Sequence, residues 1–119
     1  MKLVTFQLQN GRPCAGALLG GGKVLDLQAA HRGRYKKRSP LLASVLAMTE
    51  GGGKALDLAS SLIKRPAKDS VISGEKAKLL APIPCPPQMR DFLCFEKHLV
   101  QAYDALSRLG PRLAVPQVW

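Results

Sequence analysis

The chain opens with the stretch MKLVTFQLQNG (Met1–Gly11), whose apolar residues decide the fold class. Val4, Phe6 and Leu8 alternate with polar neighbours, which is the period of a β-strand with two different faces. Asn10-Gly11 then supplies a dipeptide that favours a tight turn between antiparallel strands. The opening therefore predicts the first strand of an antiparallel β-sheet.

Two further short strands are predicted directly after this turn. One covers Pro13–Leu19 and the other covers Lys23–Leu27. Gly20–Gly22 separates them, and because no GxGxxG or GK[ST] spacing follows, a hairpin turn is favoured over a phosphate-binding loop. The first thirty residues therefore predict a small antiparallel meander.

The middle of the chain predicts a pair of helices that covers this meander. Ser39-Pro40 has the composition of a helix start, with serine as the cap and proline at the first helical position. Gly51–Gly53 is expected to end the first helix, and Pro66 the second. The helix-spaced positions are Leu42, Val45, Leu46 and Thr49 in the first helix and Ala55, Leu58, Ala59 and Leu62 in the second.

A proline-rich segment divides the chain. Residues 82–87 hold four prolines in six positions, directly after a predicted strand at Lys78–Ala81. Because proline fixes φ and donates no backbone hydrogen bond, this segment is expected to be a stiff, extended connector. We therefore divide the chain into residues 1–81 and residues 82–119.

The part after the connector predicts a strand and an amphipathic helix. Phe92–Phe95 is expected to form a buried strand, and Gly110-Pro111 to end the helix that follows. The predicted fold class is thus α+β, with a small antiparallel meander covered by a helical pair and followed by a hinge, a strand and an amphipathic helix. The apolar stripe of the helix consists of Leu99, Ala102, Tyr103 and Leu106.

Composition limits the classes of protein to which the chain can belong. A length of 119 residues with 46% hydrophobic residues predicts a folded body with its own core. No apolar run approaches the ~20 residues that cross a bilayer, and the N-terminus turns polar at Gln7. We therefore expect a cytoplasmic protein that does not associate with a membrane. Three cysteines without a CxxC pair, at positions 14, 85 and 94, argue against a disulfide framework and a structural zinc site.

The net charge of +10 raises the question of a nucleic-acid partner. Five of the eighteen lysines and arginines lie within His31–Arg38. Only one aromatic residue, Tyr35, is interleaved with them, which is few for a base-stacking surface. We therefore interpret the run as a solvated loop and do not expect nucleic acid as the partner. The alternative is a small basic module that contacts nucleic acid or another polyanion through Arg32–Arg38.

A carboxylate and an imidazole follow the connector. In the stretch Arg90-Asp91-Phe92-Leu93-Cys94-Phe95-Glu96-Lys97-His98, Asp91 precedes the predicted strand and His98 falls in the first turn of the helix. Taken alone, Asp91 is also explained as a strand-edge carboxylate that is paired with Arg90 or solvated, and His98 as a capping or surface histidine. Residues 91–95, fully extended, span ~13 Å, so the two side chains share a pocket only if the helix folds back or a ligand lies between them.

Several segments, in the right order, resemble the fumarylacetoacetase (FAA hydrolase) family. They are Met1–Phe6, Leu79–Pro84 and Asp91–His98, and Pro116–Trp119 is similar to the stretch just before the family's catalytic β-roll. The resemblance implies that residues 1–81 are the family's N-terminal domain. It also implies that residues 82–119 are the hinge and first segment of an incomplete catalytic domain.

The resemblance also implies a chemistry, the hydrolysis of a C–C bond in a β-diketo acid. Asp91 would be a ligand of Mg²⁺ or Ca²⁺, and His98 the base that activates water. Arg108 lies near a position where family enzymes can hold the substrate carboxylate. A neutral imidazole can accept a proton near neutral pH, and a hard cation can stabilise the departing enolate. Leu93 stands where better-known members carry tyrosine, so the substrate class extends from fumarylacetoacetate to acylpyruvate-like acids.

The family's remaining metal carboxylates correspond to positions downstream of Trp119. Asp91, with Glu96 and Asp104 beside it, cannot form a dedicated cage of oxygen ligands. We therefore expect the N-terminal portion of a hydrolase, inactive alone and binding no metal tightly. The intact enzyme is expected to be a homodimer that acts on a small diketo acid. The other alternative is a non-catalytic partner subunit that docks on a complete family member through its apolar tail.

Overall fold

A computed structural model describes residues 1–9, 11–90 and 95–110 of the chain. These residues form a mixed α+β fold with a five-stranded antiparallel sheet and four helices. The predicted fold class is thereby confirmed. The chain divides into two compact units, of which the first covers Met1–Pro86 and the second begins at Pro87.

Three consecutive strands form the centre of the sheet, and two later strands form its edges. The predicted meander consists of β1 (Leu3–Gln7), β2 (Cys14–Leu18) and β3 (Lys23–Asp26). β4 (Val71–Ser73) pairs with β3, and β5 (Lys78–Leu80) pairs with β1. The order is β4-β3-β2-β1-β5 with every neighbouring pair antiparallel. The chain therefore returns to the sheet after its helices and supplies both edge strands.

The glycine run between β2 and β3 forms a hairpin turn. Gly20–Gly22 makes one turn of 3-10 helix, and Leu19 N–H donates to the carbonyl of Lys23 at 2.8 Å. Gly21 has a φ of 69°, in the left-handed region that glycine adopts without strain. The predicted hairpin is therefore confirmed at this position.

The turn between β1 and β2 is described only in part. Gly11 N–H donates to the carbonyl of Leu8 at 2.9 Å, which is the bond that closes a four-residue turn. Asn10, the other half of the predicted turn dipeptide, lies outside the described residues.

The first helix was not predicted from the sequence. α1 (Leu27–Tyr35) begins directly after β3, where the Asp26 carboxylate accepts a hydrogen bond from Ala29 N–H at 2.8 Å. This cap satisfies a backbone donor that the first helical turn leaves free. The solvated-loop interpretation of the basic run is therefore wrong for residues 31–35, which are helical, and only residues 36–38 follow the helix. The buried side chains of α1 are Leu27, Ala30 and His31.

The second helix begins later than predicted. Pro40–Leu42 forms only a 3-10 turn, and α2 (Val45–Glu50) begins where Ser44 Oγ accepts from Ala47 N–H at 3.0 Å. Ser39 precedes that 3-10 turn, but its side chain makes no capping hydrogen bond. The Gln28 side-chain amide binds the backbone N–H and C=O of Ser39, both at 2.9 Å.

The third helix follows almost at once. α3 (Gly52–Lys64) is separated from α2 by Gly51 alone, and it ends before Pro66 as predicted. Gly52 has a φ of 55°, so a left-handed residue turns the chain between the two helices.

The helices cover one face of the sheet, and a smaller apolar cluster lies on the other. Small side chains on β2 and the side chain of Leu25 form the helix-covered face. Phe6 and Val24 lie on the opposite face with Ala77. The alternation along β1 thus predicted which residues share a face, but not which face the helices cover. The larger cluster includes Ala15, Ala17, Leu25, Leu42, Met48, Ala59 and Leu62.

The proline-rich connector begins within the first unit. The Thr5 hydroxyl donates to the carbonyl of Pro82 at 2.6 Å, and Ile83 packs against the larger apolar cluster. The start of the connector is therefore attached to β1 by a hydrogen bond and to the larger apolar cluster by Ile83.

The described part of the second unit contains α4 (Glu96–Ser107). Leu99, in the predicted apolar stripe, is buried. Phe95 precedes the helix and is 75% exposed, so the predicted buried strand does not include it. Residues 92–94 of that prediction lie outside the described residues. None of the helices within the described ranges has the length and apolar character that crossing a membrane requires.

Candidate functional site

The predicted base lies where the sequence placed it. His98 is the third residue of α4, in the first helical turn, and its side chain is exposed. Glu96 begins the helix, where a carboxylate interacts favourably with the free N–H groups of the first turn. An exposed imidazole at this point has access to solvent water. Its catalytic role stays a prediction.

The predicted substrate-binding arginine lies at the other end of the same helix. Arg108 follows α4 directly and is exposed. Ten residues separate it from His98, which is about 15 Å along a helix axis. Helical side chains lean toward the helix N-terminus, so Arg108 would have to extend back along α4 to share a small substrate with His98.

The predicted metal ligand, Asp91, lies outside the described residues. Within the described ranges, no group of three or more His, Cys, Asp or Glu side chains is placed to hold a metal ion. Glu96 and Asp104 are both on α4, but eight residues place them about 12 Å apart along the axis. They therefore do not converge on one cation.

A second candidate site lies where α1 meets α3. The sequence offered its Arg32–Arg38 part as the alternative basic module, but it did not predict the contribution of the segment at the end of α3. The Arg34 guanidinium donates to the carbonyls of Ser61 and Arg65, at 3.2 Å and 3.3 Å. The last turn of a helix leaves carbonyls without helical partners, and a cation there is favourable. Arg34 therefore joins the C-terminal ends of the two helices.

Further cations surround this junction, and we call them the basic surface. Arg32 and Lys36, one helical turn apart, line a cavity of about 390 Å³ with Asp69 and the turn at Ala67. The sequence signal that could have revealed this site was the N-cap at Asp26. A helix that begins there has the cations of the basic run at its C-terminal end. The basic surface consists of Arg32, Lys36, Lys37, Arg65 and Lys68, all exposed.

One aromatic residue, Tyr35, directly precedes Lys36 at the end of α1. Tyr35 is 45% exposed, and its ring centroid lies 4.7 Å from that of His31 at an angle of 39°. His31 is only 5% exposed, and its Nδ1 lies 2.8 Å from the carbonyl of Lys37. Because a carbonyl only accepts, Nδ1 is the protonated nitrogen. His31 thus packs against the ring of Tyr35, and its hydrogen bond to the Lys37 carbonyl holds the backbone just after α1.

Two cysteines line one small groove. Cys14 and Cys85 face a cavity of about 230 Å³ together with Thr5 and Ser44. Burial raises the pKa of the Cys14 thiol, the charge of Asp26 raises it further, and Arg38 acts in the opposite direction. Since the thiolate is the nucleophile and metal ligand, Cys14 is a weak candidate for either role at neutral pH.

This difference between the thiols gives a measurable expectation. In a Cys94→Ser protein, we expect iodoacetamide to modify exposed Cys85 at least about tenfold faster than Cys14 at neutral pH. Asp26→Asn keeps an N-cap side chain but removes the charge, so it should accelerate the modification of Cys14. Peptide mass spectrometry over time measures both rates. Equal rates at the two cysteines would contradict the raised pKa.

Comparison with known proteins adds no assignment to these sites. No protein-family model matches the chain, and no curated protein matches it. The roles of Asp91, His98 and Arg108 therefore depend on the resemblance of their motif and on the chemistry of their side chains.

Proposed function

We propose that the chain is the N-terminal part of a metal-dependent FAA-family hydrolase that cleaves a C–C bond in a β-diketo acid. The observation that carries this proposal is the position of His98. α4 begins at Glu96, within the Asp91–His98 motif, and presents the exposed imidazole of His98 in its first turn. The order of the motif segments along the chain also supports it.

The proposed reaction assigns a separate task to each residue. His98 accepts a proton from a water molecule as the water oxygen bonds to a substrate carbonyl carbon. The C–C bond then breaks, its electron pair becomes an enolate, and the enolate takes up a proton. Arg108 offers a cation to the substrate carboxylate. Asp91 would contribute one oxygen ligand to a Mg²⁺ or Ca²⁺ ion, which when bound would supply positive charge to offset the negative charge that develops on the diketone oxygens.

The proposed site needs more carboxylates than this motif provides. A Ca²⁺ ion takes about six to eight oxygen ligands, whereas the motif offers one carboxylate ahead of the helix. In the proposed enzyme, the remaining ligands come from sequence outside residues 1–119. The proposal therefore expects neither tight metal binding nor turnover of an acylpyruvate by the 119-residue chain alone.

Calorimetric titration with Mg²⁺ and Ca²⁺ tests this proposal. The 119-residue chain is compared with a protein extended by the reading frame that continues past the Trp119 codon. We expect tight binding only in the extended protein, and we expect Asp91→Ala to weaken it by more than the ~10–100-fold that an outer-sphere partner contributes.

A matched carboxylate provides the control for that titration. Asp104→Asn removes an exposed carboxylate of α4 that lies away from the motif, and it should leave the metal affinity unchanged. Unchanged affinity in Asp91→Ala would remove Asp91 from the site. Sub-micromolar affinity of the 119-residue chain for either ion would contradict the proposed division of the ligands.

A further inference from the structure

We propose that the basic surface binds single-stranded nucleic acid, with the ring of Tyr35 stacked on a base. The surface lies within the first compact unit, at the C-terminal ends of α1 and α3. None of its residues belongs to the proposed hydrolase site, so the two proposals stand or fall separately.

The fold brings together cations that are distant in the sequence. Gly33 lies against the turn after α3, because a Cβ built on Gly33 would be 3.8 Å from the Cβ of Ala67. Lys68 follows Ala67, and the carbonyl of Arg65 is bound by Arg34. The cations of residues 32–37 and those of residues 65–68 therefore belong to one positive surface. The run that the sequence showed is only part of the positive surface.

Helix stability accounts for only some of these charges. Cations in the last turn of a helix are favourable, which explains Arg34 and contributes to the placement of Arg32. Lys37 lies beyond α1, and Lys68 lies beyond α3, so neither is explained by the helix that precedes it. Asp69 is the one carboxylate among the residues that line the cavity beside them. The phosphate groups of a bound nucleic acid would neutralise the positive charge that Asp69 does not balance.

The sequence alone, with one aromatic residue among its cations, did not favour a nucleic-acid partner. The cations that the fold adds from residues 65–68 and the exposed ring of Tyr35 change that expectation in favour of a single strand. Proteins that bind single strands combine a basic track with aromatic side chains on which bases stack. The ring of Tyr35 is half exposed and rests on the ring of buried His31, so little freedom is lost when a base stacks on it.

Lys36 adds an independent observation. Its φ of 58° lies in the left-handed region, and its N–H donates to the carbonyl of Arg32 at 2.9 Å. Glycine adopts this conformation at a helix end with less strain than lysine does. Lysine at this position therefore makes the helix less stable than glycine would, but it places a charge at the rim of the cavity.

Fluorescence anisotropy with the full 119-residue chain tests the proposal. The probe is a labelled oligouridylate of about 16 nucleotides, the upper end of the site sizes for one small domain. We expect affinity to fall steeply as salt rises. The double variant Arg32→Gln/Lys37→Gln should reduce the slope of log affinity against log salt by about 1.4, or ~0.7 per lost phosphate contact.

The stacking contact is tested on the same probe. Tyr35→Ala should weaken binding about tenfold, within the range measured for base stacking, and Tyr35→Phe should preserve it. The matched control is Lys54→Gln/Lys78→Gln, which removes two exposed cations from the N-terminal part of α3 and from β5. This control should bind like the wild type.

Lys36→Gly separates binding from stability. The variant should unfold at a higher temperature than the wild type yet bind the oligouridylate several-fold more weakly.

Four results would each overturn the proposal: no binding at low salt, unchanged affinity in Tyr35→Ala, tighter binding of a duplex of the same length, and equal binding of inorganic polyphosphate. The last result would identify a general polyanion surface instead.

Discussion

Replacing Gly16 by valine is expected to lower the free energy of unfolding by about 3 kcal/mol or more. Gly16 lies in the central strand of the sheet, with Val4 opposite it on β1 and Asp26 on β3. A Cβ built there would be 2.9 Å from Phe6 Cδ1 and 2.9 Å from Val24 Cγ1. Overpacking of a full core costs about 1–3 kcal/mol and occasionally more, and valine adds two methyl groups beyond the Cβ.

The neighbours of Gly16 have little room to move away. Phe6 and Val24 are 0% and 1% exposed, and the carbonyl of Leu25, 3.0 Å from the same Cβ, belongs to β3. Thermal unfolding should show a Tm lowered by more than about 10 °C, given a shift of ~4–8 °C per kcal/mol for a domain of this size. If the valine variant does not fold, Gly16→Ala should still show a loss of about 1–3 kcal/mol in urea.

A second glycine supplies the control for this substitution. A Cβ on Gly53, in the first turn of α3, meets nothing within 4 Å. Gly53→Ala should therefore leave the free energy of unfolding unchanged or raise it by up to about 1 kcal/mol. An unfolding free energy of Gly16→Val within 0.5 kcal/mol of the wild type, roughly the scatter for surface substitutions, would refute the packing argument.

The sequence predicted the central meander well because its signals are local. Alternation along β1 and the glycine run after β2 each act over fewer than ten residues, and the structure contains both the strands and the hairpin. α1 was missed for a related reason. The apolar residues that precede it, Val24 and Leu25, extend a strand pattern into Leu27, which hides the cap at Asp26. The strand pattern and the helix cap overlap at these residues, and the chain forms the capped helix.

The arrangement of the two faces of the sheet was beyond a local pattern. The alternation of Val4 and Phe6 marks a shared face, but it carries no information on which face the helices cover. That choice depends on the small side chains of Ala15 and Ala17, which lie in the helix-covered cluster. Only the packing of three helices against the sheet decides it.

The two candidate sites differ in how far the sequence could predict them. His98 falls within a continuous motif, and helical spacing after it was enough to place it in the first turn of α4. The basic surface joins residues about thirty positions apart through the contacts of Arg34 with α3. The run at Arg32–Arg38 was visible in the sequence, but no pattern along the chain connects it with residues 65–68. Their contribution to the surface became visible only when the fold placed the two helix ends together.

The largest effect on activity is expected at His98. In the extended protein that tests the proposed hydrolase, His98→Ala should lower the kcat for an acylpyruvate by a factor of about 10²–10⁴, the usual contribution of a positioned base. Since His98 is exposed in the first turn of α4, the substitution removes no buried contact and should leave the fold intact.

Metal content distinguishes a base from a ligand at this position. If His98 activates water, His98→Ala keeps the Mg²⁺ or Ca²⁺ affinity of the extended protein while turnover is lost. Lys97→Ala, which changes an exposed neighbour in the same helical turn, should retain both turnover and metal affinity. Joint loss of metal and activity in His98→Ala would make His98 a ligand, and activity within tenfold of the wild type would remove it from the reaction.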